Sequence, residues 1–282
     1  MGHIKYNSVF YLIVVLFASA CATMQPPNAA GPRANEEPYP VIFSSDDSRR
    51  DATIATVTRL LGADRIPTPP QLQPITATIG GLNFDSATPL YLPKLGAGAV
   101  MTEEETRESL RRFIRLWQAP IGADPAKLSL VERVDQPDGS KIARYEQRAF
   151  RYPLRGNYGK LEIRFGSDRR VLNIMSTCIP DADKIQTGLT AIAVKIKAED
   201  AVNQLLAADV SSTSSTGSKL SFHPTAANEP QPQELVTFVT PSDSAQPGLV
   251  FHLAWQINLT KAPVKSVYLD AVSGEVIGTE PA

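Results

Sequence analysis

Residues 102–117 read TEEETRESLRRFIRLW, and the pattern in this stretch decides most of what the sequence says about the fold. Thr102 followed by Glu105 is the sequence of a helix capping box. Acidic residues crowd the first turn and arginines lie near the end, an order that suits the helix dipole and needs no catalytic explanation. The stretch predicts an amphipathic helix that ends near Pro120 and Gly122. Its apolar face is formed by Leu110, Phe113, Ile114 and Trp117.

Strand patterns follow this helix. Turn-forming residues separate candidate strands at 128–134, 141–150, 160–165 and 171–177. Farther along, residues 249–259 (LVFHLAWQINL) alternate between large apolar and smaller or polar residues, which predicts a strongly two-faced strand. Helices combined with antiparallel strands predict an α+β fold.

Length and composition exclude several classes of protein. The 282 residues have a formal net charge of −1, which excludes a protein that coats nucleic acid. With 43% hydrophobic and 20% charged residues, the chain can bury a core, so a wholly disordered or fibrous protein is also excluded.

The N-terminus has the features of a secretory signal over residues 1–20. Lys5 precedes the unbroken apolar run Val9–Ala18, which is far shorter than the roughly 20 residues of a spanning helix. The segment Ala18-Ser19-Ala20-Cys21 resembles the bacterial lipoprotein box, which implies cleavage before Cys21 and a diacylglycerol on its sulfur. The alternative is an ordinary signal peptide that is cleaved nearby. Lipidation predicts a protein anchored in the cell envelope, at the outer membrane if the cell is Gram-negative.

The number of cysteines also bears on the lipidation of Cys21. Cys21 and Cys178 are the only two cysteines, so lipidation of the first leaves the second without an intramolecular partner. A Cys21–Cys178 disulfide is the alternative. Cys178 has no neighbouring base in the sequence, and we expect it to be a half-buried strand residue rather than a nucleophile.

Segments rich in proline, glycine or serine divide the chain. Residues 21–44 contain many prolines and few large apolar residues, so they predict a tether that follows the lipidated cysteine. Residues 45–100 predict an adaptor region that begins with a short amphipathic helix ending at Gly62. The Ser/Thr-rich run 211–218 predicts a flexible excursion.

The order of elements resembles the propeptide module of thermolysin-type and fungalysin-type metallopeptidases. The resemblance rests on the helix at 102–118, the strand with Tyr145-Glu146-Gln147, the corner Pro153-Leu154-Arg155-Gly156 and the strand segment Arg170-Val171-Leu172-Asn173-Ile174. The residues Asn157-Tyr158 lengthen the corner relative to the family.

The C-terminal part resembles the PepSY domain that commonly follows that module. Lys197-Ala-Glu-Asp-Ala-Val202 is similar to its opening helix, and the segment from Val267 to Val276 is similar to its closing hairpin. The two resemblances imply two tandem modules, at 101–186 and 187–282, each a helix packed on an antiparallel sheet.

Catalytic and metal-binding patterns are missing from the sequence. The resembled prosegments precede a zinc peptidase with an HExxH helix, but this sequence has no such motif and its histidines are His3, His223 and His252. His252 falls on the polar face of a strand, where we expect a solvated side chain. Asp181 and Asp183 follow Pro180 and predict a surface turn. The sequence therefore predicts no enzyme, no catalytic residue, no metal site and no cofactor.

One segment has an excess of positive charge. From Lys141 to Arg170 there are nine basic and three acidic residues. Arg144, Arg148 and Arg164 are the candidate residues for binding an anion or a partner. The alternative is a solvated sheet face that long charged side chains protect from aggregation.

Two functions remain as hypotheses. The first is a non-catalytic, lipid-anchored binding module that, like the prosegments it resembles, inhibits an extracytoplasmic peptidase or assists its folding in trans. The second is a structural envelope lipoprotein whose basic sheet face binds acidic cell-wall or lipid headgroup material. Both predict a membrane as a partner through the lipid on Cys21, and neither involves nucleic acid.

Overall fold

The computed structural model describes residues 38–62, 70–84, 89–96, 101–213, 219–242 and 247–282. These residues form a mixed α+β fold built mostly of sheet, which confirms the predicted fold class. Two large sheets contain most of the strands, and residues 37–282 form one unit by their contacts.

The described residues contain five α-helices. Their bounds are α1 (Asp47–Leu61), α2 (Glu103–Leu116), α3 (Gln118–Ile121), α4 (Ala182–Thr190) and α5 (Ala198–Leu206). The predicted capping box begins α2: Thr102 Oγ1 accepts from the Glu105 backbone N–H at 3.2 Å, and Glu105 Oε2 accepts from the Thr102 N–H at 2.7 Å. The predicted helix before Gly62 is confirmed as α1, whose first turn is capped by Asp46.

The apolar face of α2 lies in the first hydrophobic core, as predicted. Its four apolar residues, Leu110, Phe113, Ile114 and Trp117, are each 1% exposed or less. The short helix α3 includes Pro120, and the helical path stops at Gly122, as predicted. Gly122 has φ +82°, and a Cβ there would lie 2.4 Å from Thr78 Cγ2, so both backbone conformation and space require glycine.

The first sheet has seven strands and lies against α2. Six of them follow the order β2-β3-β9-β8-β6-β5, and β4 also pairs with β9. The strands are β2 (Gln71–Leu72), β3 (Ile79–Asn83), β4 (Leu90–Tyr91), β5 (Leu128–Asp135), β6 (Lys141–Gln147), β8 (Lys160–Phe165) and β9 (Arg170–Ser176). The predicted strands after α2 are thus confirmed, with their ends shifted by a few residues.

The expected adaptor region contributes directly to the first sheet. Strands β3 and β4 come from residues 45–100, and both pair with β9. Helix α1 contacts α3, and its Val57 is fully buried in the same core as α2. The sequence did not indicate these short strands because their pairing partner lies about eighty residues farther along the chain.

The second sheet has six strands and packs against α4 and α5. The order is β15-β14-β13-β12-β7, and β1 pairs with the other end of β13. The strands are β1 (Val41–Ser44), β7 (Leu154–Arg155), β12 (Gln231–Pro241), β13 (Gly248–Asn258), β14 (Val264–Asp270) and β15 (Val276–Pro281). Strand β13 and the closing hairpin of β14 and β15 confirm the strands predicted there.

Two strands of the second sheet come from earlier parts of the chain. Residues Val41–Ser44, which the sequence analysis placed at the end of the tether, form β1 and pair antiparallel with Gly248–Phe251. Strand β7 pairs in parallel with β12 through Leu154 and Arg155. The chain therefore crosses from the first sheet to the second at the corner that the sequence placed inside one module.

Part of the expected excursion at 211–218 is strand. Strand β10 (Val210–Thr213) pairs with β11 (Lys219–Phe222) in a small separate sheet. Residues 214–218 lie outside the described residues. The Ser212 and Thr279 hydroxyls are 2.9 Å apart, which links this hairpin to β15.

Candidate functional site

The first sheet has one covered face and one open face. Apolar residues of β6, β8 and β9 point towards α2, whereas their neighbours in sequence point to the opposite side. We call this opposite side the open face. Its main side chains are Glu132, Arg144, Glu146, Lys160, Glu162, Arg164, Asn173 and Met175.

Arg144 lies at the centre of the open face. It is aligned with Glu132 on β5 and with Glu162 on β8. Its Nε donates to Glu162 Oε2 at 2.9 Å, and its Nη1 donates to the Glu132 carboxylate. The guanidinium of Arg144 is therefore paired on both sides.

Arg164 and Arg148 are also paired. Arg164 donates from Nη2 to Asp138 Oδ2 at 2.5 Å and from Nε to Ser140 Oγ at 2.9 Å. Hydrogen bonds from Ser140, together with the nearby Arg164 guanidinium, hold the pKa of Asp138 below its usual value. Arg148 follows the end of β6, and its Nη2 lies 2.9 Å from Glu146 Oε2.

These ion pairs neutralise part of the positive charge that the sequence indicates over residues 141–170. Arg144 and Arg164 lie on one face, but Glu132 and Asp138, which precede the segment 141–170, pair with them. The charge count over 141–170 missed this compensation because the two acids are distant in sequence and adjacent only through strand pairing. The structure thus brings the predicted arginines into ion pairs rather than into an unpaired cationic patch.

A shallow depression of about 500 Å³ lies on the open face. Its lining includes Val131 and Met175, which are 48% and 49% exposed. Val131 and Met175 lie on opposite sides of the face, with the ion pairs of Arg144 between them. A mixture of exposed apolar and charged groups is common in transient protein interfaces.

Strand β5 forms a free edge of this sheet. It spans eight residues and pairs only with β6 among the described residues. A register shift between Leu130 and Glu132 leaves Val131 as a bulge. On the covered side, a groove of about 430 Å³ separates this edge from α2.

A cluster of titratable groups on the second sheet was missed by the sequence analysis. His252 was expected to be solvated, but its side chain is 16% exposed and its Nδ1 lies 2.6 Å from Asp270 Oδ2. The Tyr39 hydroxyl donates to the same oxygen at 2.7 Å and accepts from the Leu253 N–H at 3.1 Å. The expectation was wrong because Tyr39, over two hundred residues away in sequence, covers this part of the strand.

The Asp270 carboxylate accepts hydrogen bonds on both oxygens. Oδ1 accepts from the N–H groups of Val272 at 2.7 Å and Ser273 at 2.9 Å. Burial raises the pKa of Asp270, but hydrogen bonds from His252, the backbone and Tyr39 outweigh it and leave the pKa below its ordinary value of 3.8. Burial and the bond to Asp270 raise the pKa of the Tyr39 phenol.

This cluster joins the end of the predicted tether, through Tyr39, to β13 and to the β14–β15 turn. The Lys195 and Ile196 N–H groups both donate to Ala271 O at 3.0 Å, so the same turn also holds the segment before α5. The contacts give Tyr39, His252 and Asp270 a clear structural role.

The other candidate groups for chemistry lie apart from one another. Among the described ranges, no group of three or more His, Cys, Asp or Glu side chains is placed to hold a metal ion. His223 is exposed, with Nδ1 3.2 Å from Asp209 Oδ1. Asp181 pairs with Arg49 and Asp183 with Lys127.

Cys178 is more deeply buried than the half-buried strand residue that the sequence analysis expected. It is fully buried and follows the end of β9. Burial raises the pKa of its thiol to about 12, so the thiol stays protonated near neutral pH.

The predicted lipidation site, Cys21, lies outside the described residues. Its acylation stays a prediction from the sequence. In the described part of the chain, no helix is both long enough and apolar enough to span a bilayer.

Comparisons with known proteins leave the family open. No protein-family model matches the sequence, and no curated protein matches it. The resemblance to metallopeptidase propeptides therefore stays a prediction.

Proposed function

We propose that this chain is a non-catalytic, lipid-anchored protein of the cell envelope that works like a prosegment on an extracytoplasmic peptidase in trans. It would inhibit the peptidase or assist its folding. The observation that supports this most is the open face of the first sheet, where Val131 and Met175 are exposed beside a depression of about 500 Å³.

The arrangement of helices and sheets is compatible with a two-module propeptide. The first module would be α2 on the first sheet, and the second would be α5 on the second sheet. In this proposal, strands from outside each module complete its sheet: β3 and β4 complete the first, and β1 and β7 complete the second.

A prosegment acts by covering a cleft with a complementary surface. A specific complex of this kind buries about 1,600 Å² in total. On the open face, the ion pairs of Glu162, Arg144 and Glu132 lie between Met175 and Val131. Docking on this face would therefore bury charges that are already paired.

The lipid would keep the module close to peptidases of the same membrane. Acyl chains stabilise membrane binding by about 0.8 kcal/mol per buried methylene, so a diacylated Cys21 would hold the protein there. Intact-mass measurement of the mature chain tests this part: the expected mass includes acyl groups on Cys21, and an unmodified sulfur would contradict the anchor.

The peptidase role is tested with the full chain purified in detergent. Secreted metallopeptidases of the same cell are assayed for hydrolysis rate and for refolding yield with and without the chain. We expect at least one peptidase to be slowed or to refold in higher yield, and no effect on any of them would reject the proposal.

Matched variants then locate the surface. Val131→Glu and Met175→Glu place a charge at the two exposed apolar positions of the open face, and both should abolish the effect. Ile42→Glu is the control, because Ile42 is 62% exposed and lies on the second sheet. An effect lost only with Ile42→Glu would contradict the assignment to the open face.

The second hypothesis, binding of acidic envelope material by the arginines, has weaker support. Arg144, Arg148 and Arg164 each have a carboxylate partner, so an anion would have to displace existing ion pairs.

A further inference from the structure

The free edge of β5 has the properties of a site for strand addition. Its eight residues offer unpaired backbone groups, since only β6 pairs with it in the described part of the chain. An edge of this length is a template for another strand unless it is blocked.

The groove beside this edge suits side chains of an added strand. Leu128 and Leu130 point to the covered side of the sheet, aligned with Gln147 and Tyr145. Together with Ile114 they form an apolar floor, and Leu130 is 36% exposed. Because side chains of a strand alternate between faces, every second residue of an added strand would face this groove.

Two arginines of α2, Arg107 and Arg111, are the charged residues that line the groove. Arg107 and Arg133 share the carboxylate of Glu103, with N···O distances of 2.9 Å and 3.7 Å. Arg111 and Arg112 share the carboxylate of Glu108, with N···O distances of 2.6 Å and 2.8 Å. The Arg111 and Arg112 guanidinium groups lower the pKa of Glu108 to about 2, so this carboxylate stays ionised. Four guanidinium groups therefore share two carboxylates, and acidic side chains of a partner would complete the pairing.

A second copy of this chain fits the edge poorly in the registers centred on residues 131–133. A two-fold pairing that keeps the sheet faces aligned is centred on a single residue of β5. If the pairing is centred on Glu132 or Arg133, the same charged residue of each copy lies opposite its counterpart. If the pairing is centred on Val131, the bulges of the two copies lie opposite each other.

The tether of this chain is also a poor occupant. Residues 22–37 include Pro26, Pro27 and Pro32, and each proline lacks the N–H group that strand pairing uses. The two arginines that line the groove instead favour an acidic segment of another protein.

We propose that the free edge of β5 binds an extended acidic segment of a partner protein as an additional strand, with an apolar side chain of that segment in the groove beside α2. This inference rests on the binding role proposed above but not on the partner being a peptidase. Backbone hydrogen bonds supply affinity in such complexes, and the groove supplies specificity.

Synthetic peptides test the proposal without a known partner. The probe is a short fluorescein-labelled peptide of alternating valine and threonine residues with glutamates at both ends, and its binding to the full chain in detergent is followed by anisotropy. A second peptide has lysines in place of the glutamates. We expect the glutamate peptide to bind at least about 10-fold more tightly at low salt, and this preference to shrink as salt screens the charges. Equal binding of the two peptides, or none, would overturn the proposal.

N-methylated peptides identify strand pairing directly. Methyl groups on every second amide block the hydrogen bonds along one edge of the peptide only. One of the two alternating series should lose about 10-fold or more in affinity, while the other binds normally. Equal loss in both series would reject strand addition, and this control does not depend on the folding of any protein variant.

Two protein variants locate the site. Val131→Pro should weaken peptide binding about 10-fold or more, whereas Leu220→Pro on the exposed strand β11 is the matched control and should not. Arg107→Glu combined with Arg111→Glu changes only exposed helix residues and should reverse the preference towards the lysine peptide. An unchanged preference would contradict the assigned groove.

The outcomes separate this inference from the proposed function. Peptide binding at β5 without any effect on peptidases would reject the peptidase role alone. A peptidase effect that survives Val131→Pro would reject the edge as its site. A dimer of the chain that Val131→Pro dissociates would mean that the edge pairs with itself, and would overturn the inference.

Discussion

The polar side chains of the two sheets differ in their exposure to solvent. On the first sheet, the Arg144 ion pairs lie on a solvated face, with the arginine side chain 43% exposed. On the second sheet, Asp270 is 1% exposed and accepts hydrogen bonds from Tyr39, His252 and two backbone groups. Water can replace a lost partner on the first sheet but not on the second, so similar contacts should differ greatly in their contribution to stability.

The largest expected effect is that of Asp270→Asn. The amide keeps the shape of the side chain but has one acceptor oxygen instead of two. It cannot accept both the two backbone N–H groups and the bonds from Tyr39 and His252, so we expect a loss of about 3 kcal/mol in the free energy of unfolding. Urea denaturation measures it. The control is Asp138→Asn, whose carboxylate is 55% exposed and whose loss should stay below about 1 kcal/mol. Equal losses for the two variants would remove the contrast between the sheets.

Labelling of Cys178 tests whether the two sheets unfold cooperatively. The thiol lies in the core of the first sheet with its pKa raised to about 12, so it should react very slowly with iodoacetamide in the native state. If both sheets unfold together, Asp270→Asn should accelerate labelling about 100-fold, the factor that corresponds to about 3 kcal/mol. An unchanged rate would mean that the first sheet unfolds independently of the second.

The difference in the free energy of unfolding between wild type and Asp270→Asn should decrease at low pH. The pKa of Asp270 is lower in the folded chain than its ordinary 3.8, so the carboxylate stabilises the fold above that value and this stabilisation is lost as pH falls through the folded-state pKa. The difference in unfolding free energy should be constant from about pH 7 to 5 and shrink below about pH 4. A difference that stayed constant down to about pH 2 would contradict the role of the ionised carboxylate.

Tyr39→Phe tests how the end of the predicted tether is attached to the second sheet. The variant loses the bond to Asp270 and leaves the Leu253 N–H without its acceptor, so we expect a loss of about 1–2 kcal/mol. Tyr91→Phe is the control, because Tyr91 is 47% exposed and its hydroxyl should contribute almost nothing. Thermal denaturation followed by circular dichroism compares the two, and a neutral Tyr39→Phe would show that the hydroxyl is not needed for docking.

The smallest expected effect is that of Arg144→Gln. Exposed ion pairs contribute about 0–1 kcal/mol, so the variant should be nearly as stable as wild type at physiological salt. The same variant tests the second functional hypothesis: binding to vesicles that contain anionic lipid should fall if Arg144 binds headgroups. Unchanged vesicle binding would show that Arg144 does not bind lipid headgroups.

Local patterns predicted α1, α2 and most of the long strands, but not β12 (Gln231–Pro241). The capping box at Thr102, the apolar stripe of α2 and the alternation of β13 each depend on residues close in sequence, and the structure confirms all three. Helix α4 was not predicted, because its nine residues follow a left-handed Asp181 without a side-chain cap.

The contacts of the candidate site were less predictable. The arginines of the open face were identified, but their neutralisation by Glu132 and Asp138 depends on strand register and on a turn. The cluster around Asp270 had no sequence signal, since Tyr39, His252 and Asp270 are spread over most of the chain.

By itself, the sequence determined the α+β class and the faces of the main helices and strands, because periodicity and capping signals act over a few residues, whereas lipid attachment at Cys21 stays a prediction. Only the tertiary structure decided that β1 and β7 complete the second sheet, that the arginines are paired and that β5 pairs with β6 alone among the described residues. These features depend on which distant segments meet, and that is set by the burial of the whole core rather than by any local pattern.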